Sequence, residues 1–247
     1  MPRYPPPSAY AYSFGPGPMT PAVKWIIIAN IVAFVTTLMF PALVRYFGMA
    51  PQLVIERQWI WQPFTYMFLH GGIMHLLLNM LGIWMFGVEL ERRWGTPLFV
   101  RYYAITGVGA GLTQLLVSLL PFAATAATYG VSTIGASGAL YGLLLAYALY
   151  YPERPILMFM IFPVPAKYFV MIVGAISFLS STGGRDSKVA HAAHLGGMIF
   201  GYLYLRGGRG GLAAELKYRY LKWKMNRLRR KFDVHTGGKS NWDRKVH

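Results

Sequence analysis

Gly135-Ala136-Ser137-Gly138-Ala139-Leu140-Tyr141-Gly142 opens a long apolar segment and sets one hydroxyl among three glycines. On a helix, Gly138 and Gly142 are four apart, the spacing of small residues that lets a neighbouring helix backbone come close. Ser137 and Tyr141 are also four apart and share a face. A lone serine in a membrane helix has an ordinary use as well, bonding back to a carbonyl one turn earlier. Which use applies depends on the other polar residues at the same depth.

The surrounding composition sets the class. Of 247 residues, 55% are hydrophobic and 13% charged, and the apolar residues fall in runs of about 17–25, the length that spans a bilayer. This excludes an ordinary soluble domain. The expectation is an all-α polytopic membrane protein with six transmembrane helices over residues 23–206. A flexible lead-in over 1–22 precedes them and a basic tail over 207–247 follows. The lead-in lacks the order of a secretory signal, so the first apolar run is expected to be retained. The net charge of +16 is mostly a tail property, since 13 of the 24 Lys and Arg follow residue 205. There is no cysteine, hence no disulfide or thiolate chemistry.

The expected spans are 25–43, 73–89, 97–120, 135–151, 166–181 and 189–205. The 47–72 connection, with Trp59, Trp61 and Phe64, suits the interfacial zone. The proline-broken 155–165 run is placed there too. Glu91-Arg92-Arg93-Trp94-Gly95 reads as a tight charged turn. Most Lys and Arg collect on one side, leaving Arg45, Arg57, Arg185 and Lys188 on the other, so both termini are expected in the cytoplasm. In the tail, Ala214, Tyr218, Leu221, Met225, Leu228 and Phe232 form an apolar helical stripe with cations off it. That pattern fits a helix on the anionic inner leaflet; a short coiled coil and an RNA-binding tail are the alternatives.

With six spans and an inside start, the second, fourth and sixth run in the same direction. Each carries unusual polar residues in its first turns: His75 and Asn79, Ser137 and Tyr141, His191 and His194. At about 1.5 Å per residue these sets lie at one depth. Ionisable groups inside a bilayer are costly enough to point to function. His194 shares its face with Gly197 and Gly201, and a Gly197-xxx-Gly201 groove fits against Gly138-xxx-Gly142. That packing brings the His194 imidazole beside the Ser137 hydroxyl, as a base that takes the hydroxyl proton. No Asp or Glu lies in the outer half of a span, and Asp186 in the loop before the sixth is the nearest. The expectation is a Ser–His pair without an acid, with Tyr141 packing the ring. His75, Asn79 and the Ser137 amide are candidate donors to an oxyanion.

Taken together, His70-xxxx-His75-xxx-Asn79, Gly135-Ala-Ser137-Gly and Ala193-His194-xx-Gly197-xxx-Gly201 resemble the rhomboid intramembrane serine proteases over roughly residues 55–205. The resemblance implies a six-helix rhomboid-like bundle with Ser137 as nucleophile and His194 as general base. It gives His75 and Asn79 to the oxyanion hole and makes Tyr141 the stacking partner. Gly135, Gly138, Gly197 and Gly201 support the site. Glu91, Arg93 and Gly95 resemble the structural turn after the second span. Where many members have Trp-Arg in the first loop, this chain has Trp61-Gln62, which bears on how that loop is anchored.

The implied reaction is hydrolysis of a peptide bond in or beside the transmembrane helix of a membrane-protein substrate. The 47–72 loop and the fifth span, with Phe169 and Phe178, are candidates for lateral access. No cofactor, metal or nucleic acid is expected: His70, His75, His191 and His194 have no carboxylate or thiol to complete a metal site. The competing readings are a rhomboid-like protein that binds transmembrane helices without cutting them, and a small proton-coupled transporter. The latter needs a polar path that the inner halves of the spans do not offer. A bacterial inner membrane is the expected location.

Overall fold

The computed structural model describes residues 15–121, 128–158, 162–180 and 185–207, and tail positions 221, 222, 224, 225 and 227. The chain divides into a unit of residues 1–204 and a second of 205–247. In the second, Leu221 and Met225 are exposed; the remaining residues of the expected tail stripe lie outside the described residues.

Six helices of 14 to 23 residues carry the first unit: α1 (Pro21–Met39), α5 (Ile73–Trp94), α6 (Thr96–Ser118), α7 (Ser137–Tyr150), α8 (Ala166–Ser180) and α9 (Arg185–Gly207). Three short helices, α2 (Leu43–Phe47), α3 (Pro51–Glu56) and α4 (Gln62–Thr65), lie between α1 and α5, with a 3-10 turn at Tyr66–Phe68. Among the described residues, α1 and α5 are long and apolar enough to cross a bilayer. The helices α7 and α8 are apolar but shorter, at 14 and 15 residues. Large apolar side chains point outward, among them Val32, Leu38 and Met39 on α1 and Met171, Phe178 and Leu179 on α8. Such surface suits lipid and is a liability in water. Helix α7 is the hub, packed on α5, α6 and α8 and on α9 at Gly197.

Several boundaries differ from expectation; α9 begins at Arg185 and not at 189, so Arg185, Asp186 and Lys188 belong to the helix and not to the loop before it. Helix α1 begins at Pro21, not near Trp25, because proline is well placed in a first helical turn, where its missing N–H is not needed. Residues 15–20 of the expected flexible lead-in are docked: the Arg92 guanidinium donates to the carbonyls of Pro16 and Pro18, and Trp84 Nε1 donates to that of Gly17 at 3.3 Å. The charged cluster at 91–94 is the last turn of α5, and the bend comes at Gly95, whose φ of 79° favours glycine. The 155–165 run is a hairpin, β1 (Pro155–Met158) against β2 (Phe162–Pro165), antiparallel, so the chain is not wholly α. Pro155 and Pro165 stand at strand ends, where the lost donor is cheapest, and Pro163 sits one residue inside β2.

Glu91 explains why the last turn of α5 is charged. Its buried carboxylate accepts from Ala22 N at 2.9 Å, Val23 N at 3.0 Å, the Thr96 hydroxyl at 2.6 Å and the Thr20 hydroxyl. One anion thus satisfies the first turns of both α1 and α6, where helix dipoles favour negative charge. Charge-assisted hydrogen bonds contribute about 1.5–3 kcal/mol each and are not additive. Glu91→Ala is expected to cost about 3 kcal/mol, lowering Tm by roughly 6–12 °C at this chain length. Thermal unfolding in detergent checks it, and an unchanged Tm would contradict the capping role.

Candidate active site

The site is assembled at the starts of α5 and α7 and on the inner face of α9. Gly135, just before α7, has φ +127°, a conformation that side chains rarely adopt. A Cβ there would also lie 2.8 Å from His75 Nε2 and 3.7 Å from Ser137 Oγ. Glycine therefore meets two demands: it turns the chain into α7 and leaves room for the His75 ring beside the serine.

The segments around the site are tied down by backbone. Gly135 N donates to the Tyr66 carbonyl at 3.0 Å, and the Tyr66 hydroxyl donates to Gly107 O on α6 at 2.8 Å. Met49 and Thr133 exchange two hydrogen bonds at 2.8 and 2.9 Å. Gln62 anchors the 47–72 segment, at the position where the resemblance leads to arginine. Fully buried, it donates to the carbonyls of Arg45 at 3.1 Å and Tyr46 at 3.3 Å and accepts from Ala50 N at 3.0 Å. A neutral amide has both a donor and an acceptor end, so the polar anchoring survives the change of residue.

His194 Nε2 lies 2.8 Å from Ser137 Oγ. The two meet because α9 and α7 touch by backbone: a Cβ at Gly197 would lie 1.9 Å from the Gly138 carbonyl oxygen. A Cα hydrogen fills that gap, the kind of close contact seen between tightly packed helices. The expected glycine pairing holds for one turn only. Gly142 faces Thr106 and Gly201 faces Tyr102, both on α6, so the lower glycines admit a third helix instead of each other.

Tyr141 lies flat against the His194 ring, 4.0 Å away between centroids and 7° from parallel. A flat aromatic face favours a passing positive charge on the imidazole. The fully buried Ser177 on α8 donates to the Tyr141 hydroxyl at 3.2 Å, tying that ring to a third element. Sequence reasoning missed Ser177, because one serine in an apolar helix has no distinguishing signal. His194 Nδ1 has no hydrogen-bond partner among the described residues, and the Asp186 side chain lies outside them. His191 meets His194 edge-on at 5.8 Å.

On α5, His75 is packed edge-on by the buried His70 at 5.0 Å. Asn79 Nδ2 donates to the His75 carbonyl at 2.9 Å, using one of the two amide hydrogens and leaving the other for a ligand. Chemically, the set offers a hydroxyl with an adjacent imidazole and, across from it, polar groups able to donate to an anion.

These residues fall within a recognised pattern. The Rhomboid domain profile matches residues 57–208. The chain is 35% identical over 138 residues to "Rhomboid protein 1, mitochondrial" of Saccharomyces cerevisiae, covering 56% of this chain and 38% of that protein. It is 31% identical over 160 residues to "Rhomboid protease AarA" of Providencia stuartii (62% and 57%) and 28% over 160 residues to "Rhomboid protease GluP" of Bacillus subtilis (65% and 28%). The chain thus spans between about a quarter and three fifths of the length of these three relatives.

Proposed function

The chain belongs to the rhomboid family, and on that premise we propose that it is an intramembrane serine endopeptidase acting in or beside the transmembrane helix of membrane-protein substrates. The observation that carries this reading is the 2.8 Å contact between Ser137 Oγ and His194 Nε2. Relatives whose names include "protease" point the same way.

In this mechanism His194 Nε2 takes the hydroxyl proton as Ser137 Oγ attacks the scissile carbonyl carbon. The resulting oxyanion accepts from the free Asn79 N–H, His75 and the Ser137 amide. Collapse expels the amine half, which leaves with the proton from His194 and a serine ester behind. Water then attacks the ester with His194 again as base, releasing the carboxylate half and restoring the serine. Tyr141 stabilises the imidazolium in place of a carboxylate.

Six spans with both termini cytoplasmic complete the proposal. Short α7 fits it, since a span whose first residue is the nucleophile starts below the membrane surface. A substrate helix hides its carbonyls in its own hydrogen bonds, so it must unwind locally to be cut. Cleavage of purified single-span proteins, with the cut mapped by mass spectrometry, tests the reaction. A cut in or next to the span is expected; intact substrates across a broad panel would contradict it. Asn79→Ala is expected to lower kcat by about 10²-fold, the usual cost of one oxyanion donor. An unchanged kcat would remove Asn79 from the hole.

A further inference from the structure

Two of the few cations at the Ser137 end of the bundle share one pocket that the proposed reaction does not use. It has a volume of about 520 Å³ and is lined by Ala42, Arg45, Tyr46, Leu53, Arg57 and Trp59. Both arginines are exposed, and neither guanidinium has a carboxylate partner among the described residues. The nearest acid in sequence, Glu56, is engaged elsewhere, accepting from Gln52 Nε2 at 3.1 Å and from the Tyr129 hydroxyl at 3.3 Å. Two like charges held in one recess repel unless an anion enters between them.

The walls of the recess indicate where that anion comes from. Tyr46, Trp59 and Trp61 form a continuous stack, with ring centroids 5.3 and 5.8 Å apart, and Trp61 Nε1 donates to the Tyr46 carbonyl at 2.9 Å. Stacked tyrosine and tryptophan belong at the headgroup level of a bilayer. Helix α2, one wall of the recess, is also a wall of a second cavity of about 250 Å³. Leu43 and Phe47 meet Ala33, Thr36, Leu69 and Phe68 there. The Thr36, Thr37 and Thr65 hydroxyls along it all donate to backbone carbonyls, so they turn methyl groups to the groove. A cationic recess and an apolar groove are thus separated by a single five-residue helix.

We propose that this pair of cavities binds one anionic phospholipid, its phosphate between Arg45 and Arg57 and an acyl chain in the groove between α1 and α2. A single amphiphile matches both halves, whereas an acidic peptide or free phosphate uses only the first. Because α2 leads through Gln62 to the loop that holds Gly135, the bound lipid braces the segment beside the site. The inference requires only that the chain sit in a membrane.

The test is native mass spectrometry of the full chain purified from phosphatidylcholine vesicles containing phosphatidylglycerol. The wild type is compared with Arg45→Gln/Arg57→Gln and with Phe47→Ser, and Tm confirms that each is folded. One retained phosphatidylglycerol per chain is expected. Each guanidinium is expected to contribute about fivefold to its affinity, so the double variant loses roughly 25-fold. Phe47→Ser is expected to weaken retention of long-chain lipid but not binding of soluble glycerophosphoglycerol. Equal retention by the double variant would overturn the proposal. So would displacement of the lipid by millimolar inorganic phosphate, which marks a free-anion site. Unaltered lipid retention with cleavage lost only for substrates bearing acidic flanks would overturn it in favour of a peptide site.

Discussion

Ser137→Ala and His194→Ala are each expected to abolish cleavage of a transmembrane substrate, lowering kcat by about 10³-fold or more while leaving Tm within a few degrees of wild type. The size follows from the chemistry. A serine hydroxyl is a weak nucleophile until a base removes its proton, and the imidazole hydrogen-bonded to Ser137 is that of His194. Members of such a unit are not additive, so the double variant is expected to be no worse than either single one. Gel-based turnover and thermal unfolding of the same preparations check both halves. Full activity in either single variant would end the serine-protease reading. Activity lost together with a collapsed Tm would mean that the residues hold the fold.

Gly197→Ala is the second large effect, and it acts through backbone. The added methyl carbon would meet the Gly138 carbonyl oxygen at 1.9 Å and its carbon at 2.9 Å. Neither atom is the end of a flexible side chain, so α9 must back away from α7 by an ångström or more. Overpacking of this kind costs about 1–3 kcal/mol. A shift of about 1 Å between reacting groups alone is enough for a 10²-fold loss of rate. Gly174→Ala is the control, since its methyl would meet nothing nearer than Met198 Sδ at 3.6 Å. The expected result is a variant at 197 with activity down at least 100-fold and a lower Tm, beside a control near wild type. A fully active Gly197→Ala would mean that the close approach of α7 and α9 is not what aligns serine and histidine.

Part of this was legible in the sequence because depth can be counted. Ser137 opens α7 and His75 is the third residue of α5, whereas His194 is the tenth of α9, which begins four residues before the expected span; glycines four apart flag a close helix contact. Helical arithmetic says which residues share a face, but not which neighbour that face meets. It therefore paired Gly142 with Gly201, when both pack on α6. The proline at 21 reads as a breaker unless the first helical turn is considered. Glu91 among two arginines looks like a solvated turn, because its partners Ala22 and Val23 are about seventy residues earlier. Gln62 looked like the loss of an anchor, since the carbonyls it holds are donated by the fold and leave no mark in the chain. Ser177 was invisible for the same reason: its role exists only once α8 lies against Tyr141.

Peptide mapping after treatment with a fluorophosphonate probe tests the central claim most directly, because the reagent reports an activated hydroxyl without needing the natural substrate. A single phosphonyl adduct on the peptide carrying Ser137 is predicted for the wild type, falling at least 100-fold in His194→Ala. An unlabelled wild type, or labelling of Ser137 that persists undiminished without the imidazole, would contradict it.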